Sequence, residues 1–209
     1  KKSSFYEDLV LVQNLNQEQI ARYVVEKEKW PNISLKAQLV RFNVFGPLFS
    51  HVIGYIGPVS LEEKKYSKEF LYPLSYKSGK TGVEKTYEGL IRGVVGYKAI
   101  EVDAYGQELR ELERVIPKKA QDLYLSLDKD LQMLARSELA GRKGAIIALD
   151  PNNGLIKALV SSPDFNPNIF NGSETGEVVD ILNNDQSPIF NRALSGNYPP
   201  ASTLKPFLG

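Results

Sequence analysis

The feature that most constrains the fold is a pair of short apolar runs separated by a five-residue turn. Residues 145–149 and 155–160 are rich in Ala, Ile, Leu and Val, and the segment Asp-Pro-Asn-Asn-Gly at 150–154 lies between them. Strand-forming runs joined by so short a turn predict an antiparallel β-hairpin. We expect this hairpin to feed the sheet of a domain.

A helix is predicted immediately before the hairpin. Asp128 is a suitable N-cap, and Gly141 marks the end of the helix. The apolar positions between them fall on one stripe of the helix surface, formed by Leu131, Leu134, Ala135 and Leu139. Before the helix, leucines alternate over residues 123–127 as on a half-buried strand.

The beginning of the chain is predicted to hold a second helix. Asn16 and Gln19 have the spacing of a capping box, so this helix should run over about residues 17–27. Residues 33–42 have the spacing of a strand, with the Arg41 side chain pointing outward.

The middle of the chain is apolar and punctuated by glycine. Residues 49–57 are predicted to form a buried strand or a tightly packed segment, and His51, the only histidine, is interpreted as structural. A helix is expected over residues 60–70. Another should begin at Thr81, which forms a capping box with Glu84.

Residues 99–103 and 108–112 alternate in polarity and predict a further hairpin. The polar joint at residues 117–120 is a candidate domain boundary. The chain is therefore predicted to comprise two domains, residues 1–120 and 121–209.

Composition excludes several classes of function. The 26 basic residues are interspersed with 25 acidic ones, so the net charge of +1 gives no footprint for nucleic acid. Thiol chemistry is excluded because the chain contains no cysteine. No apolar run approaches the roughly 18 residues of a membrane span. If the parent protein has a membrane anchor, it lies upstream of Lys1.

The motif that points to chemistry is Ser202-Thr203-Leu204-Lys205, preceded by two prolines. The prolines favour an extended approach that delivers Ser202 to the first turn of a new helix. Residues three apart share a helix face, so the Lys205 amine can reach the Ser202 hydroxyl. A lysine of lowered pKa could take the serine proton, and backbone N–H groups at the helix start could stabilise an oxyanion.

Two other motifs have simpler structural explanations. Ser126 and Lys129 also form S-x-x-K, a pattern expected roughly once by chance in a chain of this length, but they flank the predicted N-cap Asp128. The Gly-Lys-Thr triplet at residues 79–81 suggests a phosphate-binding loop. That motif requires glycine where Leu74 stands.

Many dispersed motifs occur in order along the chain. The second half contains Asp150-Pro151, Pro163-Asp164, Asn191-Arg192-Ala193, Tyr198-Pro199-Pro200 and the Ser202-to-Lys205 motif. The first half contains His51 to Tyr55, Gly82 to Lys85, Arg92-Gly93, Gly96-Tyr97 and Glu101-Val102. Together they give the chain a resemblance to the class B penicillin-binding proteins, and within them to the elongation-specific members. The second half resembles their transpeptidase domain, and the first half resembles their non-catalytic pedestal.

The resemblance implies an α+β chain, with an elongated pedestal domain followed by the N-terminal part of an α/β transpeptidase domain. It implies a peptidoglycan D,D-transpeptidase that cross-links stem peptides during cell elongation and is a target of β-lactams. Ser202 matches the acylated serine of the family, and Lys205 matches the residue thought to deprotonate it. No cofactor and no metal are implied.

The resemblance also implies partners and a location. The partners would be peptidoglycan stem peptides, a SEDS-type glycosyltransferase, and a shape-determining scaffold protein that docks on the pedestal. The catalytic part would face the periplasm and be anchored in the inner membrane.

The family motifs S-x-N and K-T-G normally follow S-x-x-K. Here Ser195-Gly196-Asn197 and Lys80-Thr81-Gly82 precede it, so neither is interpreted as catalytic, and the polypeptide alone is predicted to be inactive. Two alternatives stay open: a pedestal acting only as a docking module, and a penicillin-hydrolysing or penicillin-sensing relative.

Overall fold

A computed structural model describes residues 10–37, 39–60, 77–94, 96–103, 107–172 and 175–208. Within these residues the strands pair into three two-stranded antiparallel sheets. The strands are β1 (Ile56–Pro58), β2 (Lys77–Gly79), β3 (Tyr97–Val102), β4 (Glu108–Val115), β5 (Gly144–Leu149) and β6 (Ile156–Ser162). The helices are α1 (Gln17–Glu26), α2 (Ser50–Ile53), α3 (Gly82–Thr86), α4 (Glu88–Ile91), α5 (Lys129–Leu139), α6 (Thr175–Leu182), α7 (Arg192–Ser195) and α8 (Lys205–Leu208).

The predicted hairpin and the helix before it form a core. Strands β5 and β6 pair antiparallel, with Ala148 opposite Ala158, and Asp128 caps α5 by accepting a hydrogen bond from the Leu131 amide at 2.9 Å. Helix α5 packs across β6. The buried residues are Ala135, Ala158 and Val160, and Leu131, Leu139, Ile146 and Ala148 pack around them. Both local predictions are confirmed.

The predicted apolar stripe of α5 is wrong at one position. The Leu134 side chain is 55% exposed, whereas Gln132 is buried. The buried face of α5 therefore includes Gln132 and excludes Leu134, so it is rotated about the helix axis relative to the predicted apolar stripe. Gln132 can be buried there because its carboxamide forms hydrogen bonds with backbone groups of β6.

Gln132 connects β6 to the middle of the chain. Its Nε2 donates to the carbonyl oxygens of Leu159 at 2.8 Å and Leu48 at 3.0 Å, and its Oε1 accepts from the Leu159 amide at 2.8 Å. A buried strand edge must find partners for its peptide groups. One side chain supplies them here, and in doing so joins the 3₁₀ turn Gly46–Phe49 to the α5–hairpin unit.

The predicted strand over residues 123–127 is not formed. The stretch instead runs beside β6, where the Ser126 hydroxyl donates to the Ile156 carbonyl at 2.7 Å and the Asp128 amide donates to the Lys157 carbonyl at 2.8 Å. Leu123 and Leu125 are exposed, so the alternation of leucines does not mark a half-buried strand.

At the start of the chain, the capping box is confirmed. The Asn16 and Gln19 side chains each accept from the other's backbone amide, at 2.8 and 2.9 Å, and α1 begins at Gln17. The strand predicted over 33–42 is absent from the described residues of that range. Arg41 is exposed, as predicted, and its Nε lies 2.8 Å from a carboxylate oxygen of Glu84.

The Thr81 capping box is wrong, although α3 does begin just after Thr81. The Thr81 side chain makes no capping bond, and the side chain of Glu84, the other member of the predicted box, is buried and turned toward Arg41. Burial raises the pKa of Glu84, while Arg41 opposes that shift. The helix predicted over 60–70 lies outside the described residues beyond its first position.

Residues 49–57 form helix α2 and then strand β1, not one strand. Helix α2 ends at Gly54, whose φ is +81°, and a β-carbon there would lie 2.0 Å from the Thr81 carbonyl oxygen. Gly82 lies close to the same helix, since a β-carbon on it would lie 2.4 Å from the Val52 carbonyl oxygen. The local sequence of residues 49–57 cannot reveal that two distant backbone segments approach each other this closely.

The predicted hairpin of residues 99–103 and 108–112 is confirmed as β3 and β4, apart from its bend, which lies outside the described residues. Strand β4 is exposed along its whole length. Its ion pairs to neighbours include Lys98 with Glu108 and Arg110 with Glu101.

The first and second halves of the chain are joined by an aromatic cluster and by paired amides. The Tyr55 ring stacks on Phe170 with centroids 3.9 Å apart, and the His51 ring meets Phe165 edge-on at 5.4 Å. Beside them, the Asn168 side chain accepts from the Asn43 amide at 2.8 Å and donates to its carbonyl at 3.0 Å. The domain boundary near residue 120 stays a prediction.

The longest helix in the described ranges, α5, has 11 residues. No helix there combines the length and the apolar character needed to cross a membrane.

Candidate active site

Ser202 lies on a 3₁₀ turn, Ala201–Leu204, that continues directly into α8. The predicted helix start is therefore in place, with a tighter first turn than an α-helix, as is common at helix N-termini. Pro200 precedes it in the right-handed helical conformation, with φ −70° and ψ −16°, so the extended approach predicted for both prolines is wrong at the second.

Ser202 and Lys205 belong to the same turn. The Lys205 amide donates to the Ser202 carbonyl, and side chains three residues apart eclipse on such a turn. Both side chains are exposed. In the part of the chain that the structure covers, no hydrogen bond joins the hydroxyl to the amine.

The other motifs have structural roles. The Ser126 hydroxyl is bonded to β6, as described above. Gly82 of the K-T-G triplet allows the close backbone crossing at α2, and the Lys80 amide donates to the Tyr55 carbonyl at 2.8 Å. Ser195 closes helix α7 through a 2.8 Å bond from its amide to the Asn191 carbonyl.

Sequence reasoning missed the role of Arg192, the buried residue that organises the approach to Ser202. Its guanidinium donates to the carbonyl oxygens of Gln186 at 2.6 Å, Ser187 at 3.1 Å and Phe190 at 3.3 Å. The only local signal is Asn191, a good N-cap residue directly before a short helix. Its Oδ1 indeed accepts from the amides of Ala193 and Leu194.

The prediction that His51 is structural is confirmed by its surroundings. The ring is buried, and Nε2 lies 2.8 Å from the Pro188 carbonyl oxygen. Because a carbonyl only accepts, Nε2 carries the proton. Burial lowers the pKa of His51, with nearby Arg192 acting in the same direction, while the Pro188 carbonyl and Asp164 oppose the shift.

Across the described ranges, no three His, Asp or Glu side chains are grouped so as to hold a metal ion.

Comparison with protein-family models finds two matches in order along the chain. The penicillin-binding protein dimerisation domain matches residues 1–125, and the penicillin-binding protein transpeptidase domain matches residues 144–208. The second match contains the Ser202 turn.

Relatives and solved structures agree with these matches. Peptidoglycan D,D-transpeptidase MrdA of Acinetobacter baumannii is 46% identical over 194 residues, which make up 92% of this chain and 29% of the relative. PBP2 of Pseudomonas aeruginosa, solved in complex with WCK 5153, has a TM-score of 0.69 at 36% identity, covering 83% of this chain and 35% of that one. PBP2 of Helicobacter pylori, solved in complex with MreC, has a TM-score of 0.66 at 29% identity, covering 93% and 45%. The chain thus spans less than a third of the length of the MrdA relative.

Proposed function

Because the chain belongs to the penicillin-binding protein family, we propose that the protein containing it is a peptidoglycan D,D-transpeptidase that cross-links stem peptides during cell elongation. The observation that carries this proposal is the Ser202–Lys205 turn at the start of a helix, within the match to the transpeptidase domain. The MrdA name of the A. baumannii relative supports the reaction and its substrate.

In this reaction the Ser202 hydroxyl attacks the carbonyl carbon between the two D-alanines of a donor stem peptide. Lys205 takes the hydroxyl proton. The C–N bond then breaks, the departing D-alanine amine takes a proton, and the donor stays esterified to Ser202. An amine of a neighbouring stem peptide attacks the ester, forms the cross-link and releases the serine. A β-lactam would enter at the first step and remain as a stable ester.

Residues 1–209 are proposed to be insufficient for this chemistry. Both catalytic side chains are exposed here, whereas a working nucleophile needs a covered, preorganised site. The remaining family motifs, S-x-N and K-T-G, are expected to come from sequence that follows residue 209.

The test is covalent labelling of the full-length protein with a fluorescent penicillin. We expect one label per wild-type molecule, located on Ser202 by mass spectrometry of peptides, and none in Ser202→Ala. The matched control is Ser126→Ala, which changes the other S-x-x-K serine and should label normally. A label on Ser202→Ala, or on any other residue of the wild type, would contradict the assignment. Rapid release of hydrolysed drug would instead favour the penicillin-hydrolysing alternative.

A second role, docking, is supported by the H. pylori complex of PBP2 with MreC. We infer that residues 1–120 bind a shape-determining scaffold of the MreC type, and that the catalytic part lies in the periplasm with an anchor in the inner membrane. Many apolar side chains before residue 46 are exposed, including Val25 at 83% and Val44 at 78%.

Co-purification of the full-length protein with the scaffold and the SEDS polymerase of the same organism tests these partners. Loss of scaffold binding in Val25→Glu would place the contact on α1.

A further inference from the structure

The loop of residues 186–192 precedes the Ser202 turn, and it forms hydrogen bonds with residues of both the first and the second half of the chain. We propose that His51 is a positioning residue for Ser202 and acts through this loop. The inference rests on the proposed function, because it concerns the serine that would be acylated.

His51 makes two hydrogen bonds to the 186–192 loop, in opposite senses. Its ring donates from Nε2 to the Pro188 carbonyl at 2.8 Å, and its backbone carbonyl accepts from Asn191 Nδ2 at 3.2 Å. The Asn191 side chain uses its other atom, Oδ1, to cap α7. A single residue of α2 therefore holds both the middle of the loop and the cap of the helix that follows it.

Arg192 fixes the same loop from within. The guanidinium binds three loop carbonyls, and the Arg192 amide donates to the Ser161 hydroxyl of β6 at 2.9 Å. Ser161 donates in turn to the Phe190 carbonyl at 3.3 Å. The loop thus lies between α2 on one side and β6 on the other, and its path is determined by named hydrogen bonds from both.

Nine residues lie between Arg192 and Ser202. Helix α7 is followed by Gly196, where a β-carbon would lie 2.5 Å from an atom of the Tyr198 ring, so the ring packs directly on the backbone. Pro199 and Pro200 then restrict the backbone further. Among the described residues, the hydrogen bonds of residues 201–208 run to Pro200 or along the turn itself.

In the described residues, the 186–192 loop is the last segment before Ser202 that hydrogen bonds tie to α2 and β6, so a displacement of this loop would shift the chain that leads to Ser202. Misplacing a nucleophile by about 1 Å can cost on the order of 100-fold in rate. Loss of one of the two His51 contacts should cost less, and we expect about a tenfold slower acylation.

The experiment uses full-length protein and measures the second-order rate constant for labelling by a fluorescent penicillin, together with the melting temperature. His51→Phe keeps a ring beside Phe165 but cannot donate to Pro188. His51→Gln is the conservative variant, since its Nε2 can replace the donor. Tyr55→Leu is the matched control, because it removes the stack on Phe170 in the same cluster without touching the 186–192 loop.

We expect His51→Phe to label about tenfold more slowly than wild type, His51→Gln within about twofold, and Tyr55→Leu at the wild-type rate despite a lower melting temperature. A wild-type rate in His51→Phe would overturn the inference. Equal slowing in Tyr55→Leu would also overturn it, since the effect would then follow stability alone.

Asn191→Asp provides a second test if His51→Phe does not fold. An aspartate keeps the cap of α7 but cannot donate to the His51 carbonyl, so slow labelling is again expected, and a wild-type rate counts against the inference. A wild-type protein that takes no label at all would contradict the proposed function itself, which separates the two failures.

Discussion

Position 54 has no room for a β-carbon, so replacing this single glycine should destabilise the fold. Gly54→Ala combines a φ of +81° with a contact of 2.0 Å to a backbone oxygen that cannot move aside. We expect a loss of about 2–4 kcal/mol in the free energy of unfolding, measured by urea denaturation. Gly154→Ala is the control, because its φ of +72° is similar but nothing lies within 4 Å. It should cost only about 1–2 kcal/mol. Equal losses in both variants would mean that the close approach contributes nothing.

At the scale of elements, helix α5 and strand β6 are held together by Gln132 as much as by apolar packing. Gln132→Leu would fill a similar volume but leave three backbone groups of Leu159 and Leu48 without that partner. The expected cost is about 2–4 kcal/mol in the free energy of unfolding. Met133→Leu, at a half-exposed neighbouring position, should change it by less than about 0.5 kcal/mol. A neutral Gln132→Leu would show that hydrophobic burial compensates fully.

The elements that the sequence predicts correctly are those whose signal is local. The capping box of Asn16, the N-cap Asp128 and the two hairpins each depend on residues a few positions apart. The failures depend on distant partners. Glu84, predicted to complete the Thr81 capping box, pairs with Arg41, 43 positions away, and Gln132 takes a core position because of a carbonyl 84 positions before it.

The same division applies to the candidate site. Ser202 and Lys205 can be recognised from the sequence, because residues of one helical turn are only three positions apart. The contacts that direct the chain toward them are invisible, since His51 and Pro188 are 137 positions apart. Spacing along the sequence carries no information about such a pair.

At the scale of the whole molecule, the buried His51 makes stability depend on pH. Burial, aided by Arg192 and opposed by Asp164 and the Pro188 carbonyl, lowers the pKa of His51 below its usual 6.5. The unfolded chain then binds a proton more readily than the folded one. The stabilisation is fully present above about pH 6.5 and is lost as the pH falls toward the folded pKa.

We therefore expect the melting temperature of the wild type to fall between pH 7 and pH 5, and to fall less in His51→Gln, which has no group titrating there. Scanning calorimetry of both proteins at several pH values would measure the difference. Parallel curves would contradict this origin of the pH dependence.

The β3–β4 ribbon is a two-stranded sheet whose outer strand faces solvent throughout, and several of its cross-strand contacts are ion pairs. Such a ribbon has little buried apolar surface to keep its amides closed. In hydrogen–deuterium exchange, the amides of β3 and β4 should therefore exchange earlier than those of α5 and β6. Added salt should increase the difference in exchange rate between these two sets of amides. It screens the exposed charges of the ribbon but leaves the core contacts of Ala158 and Val160 in place.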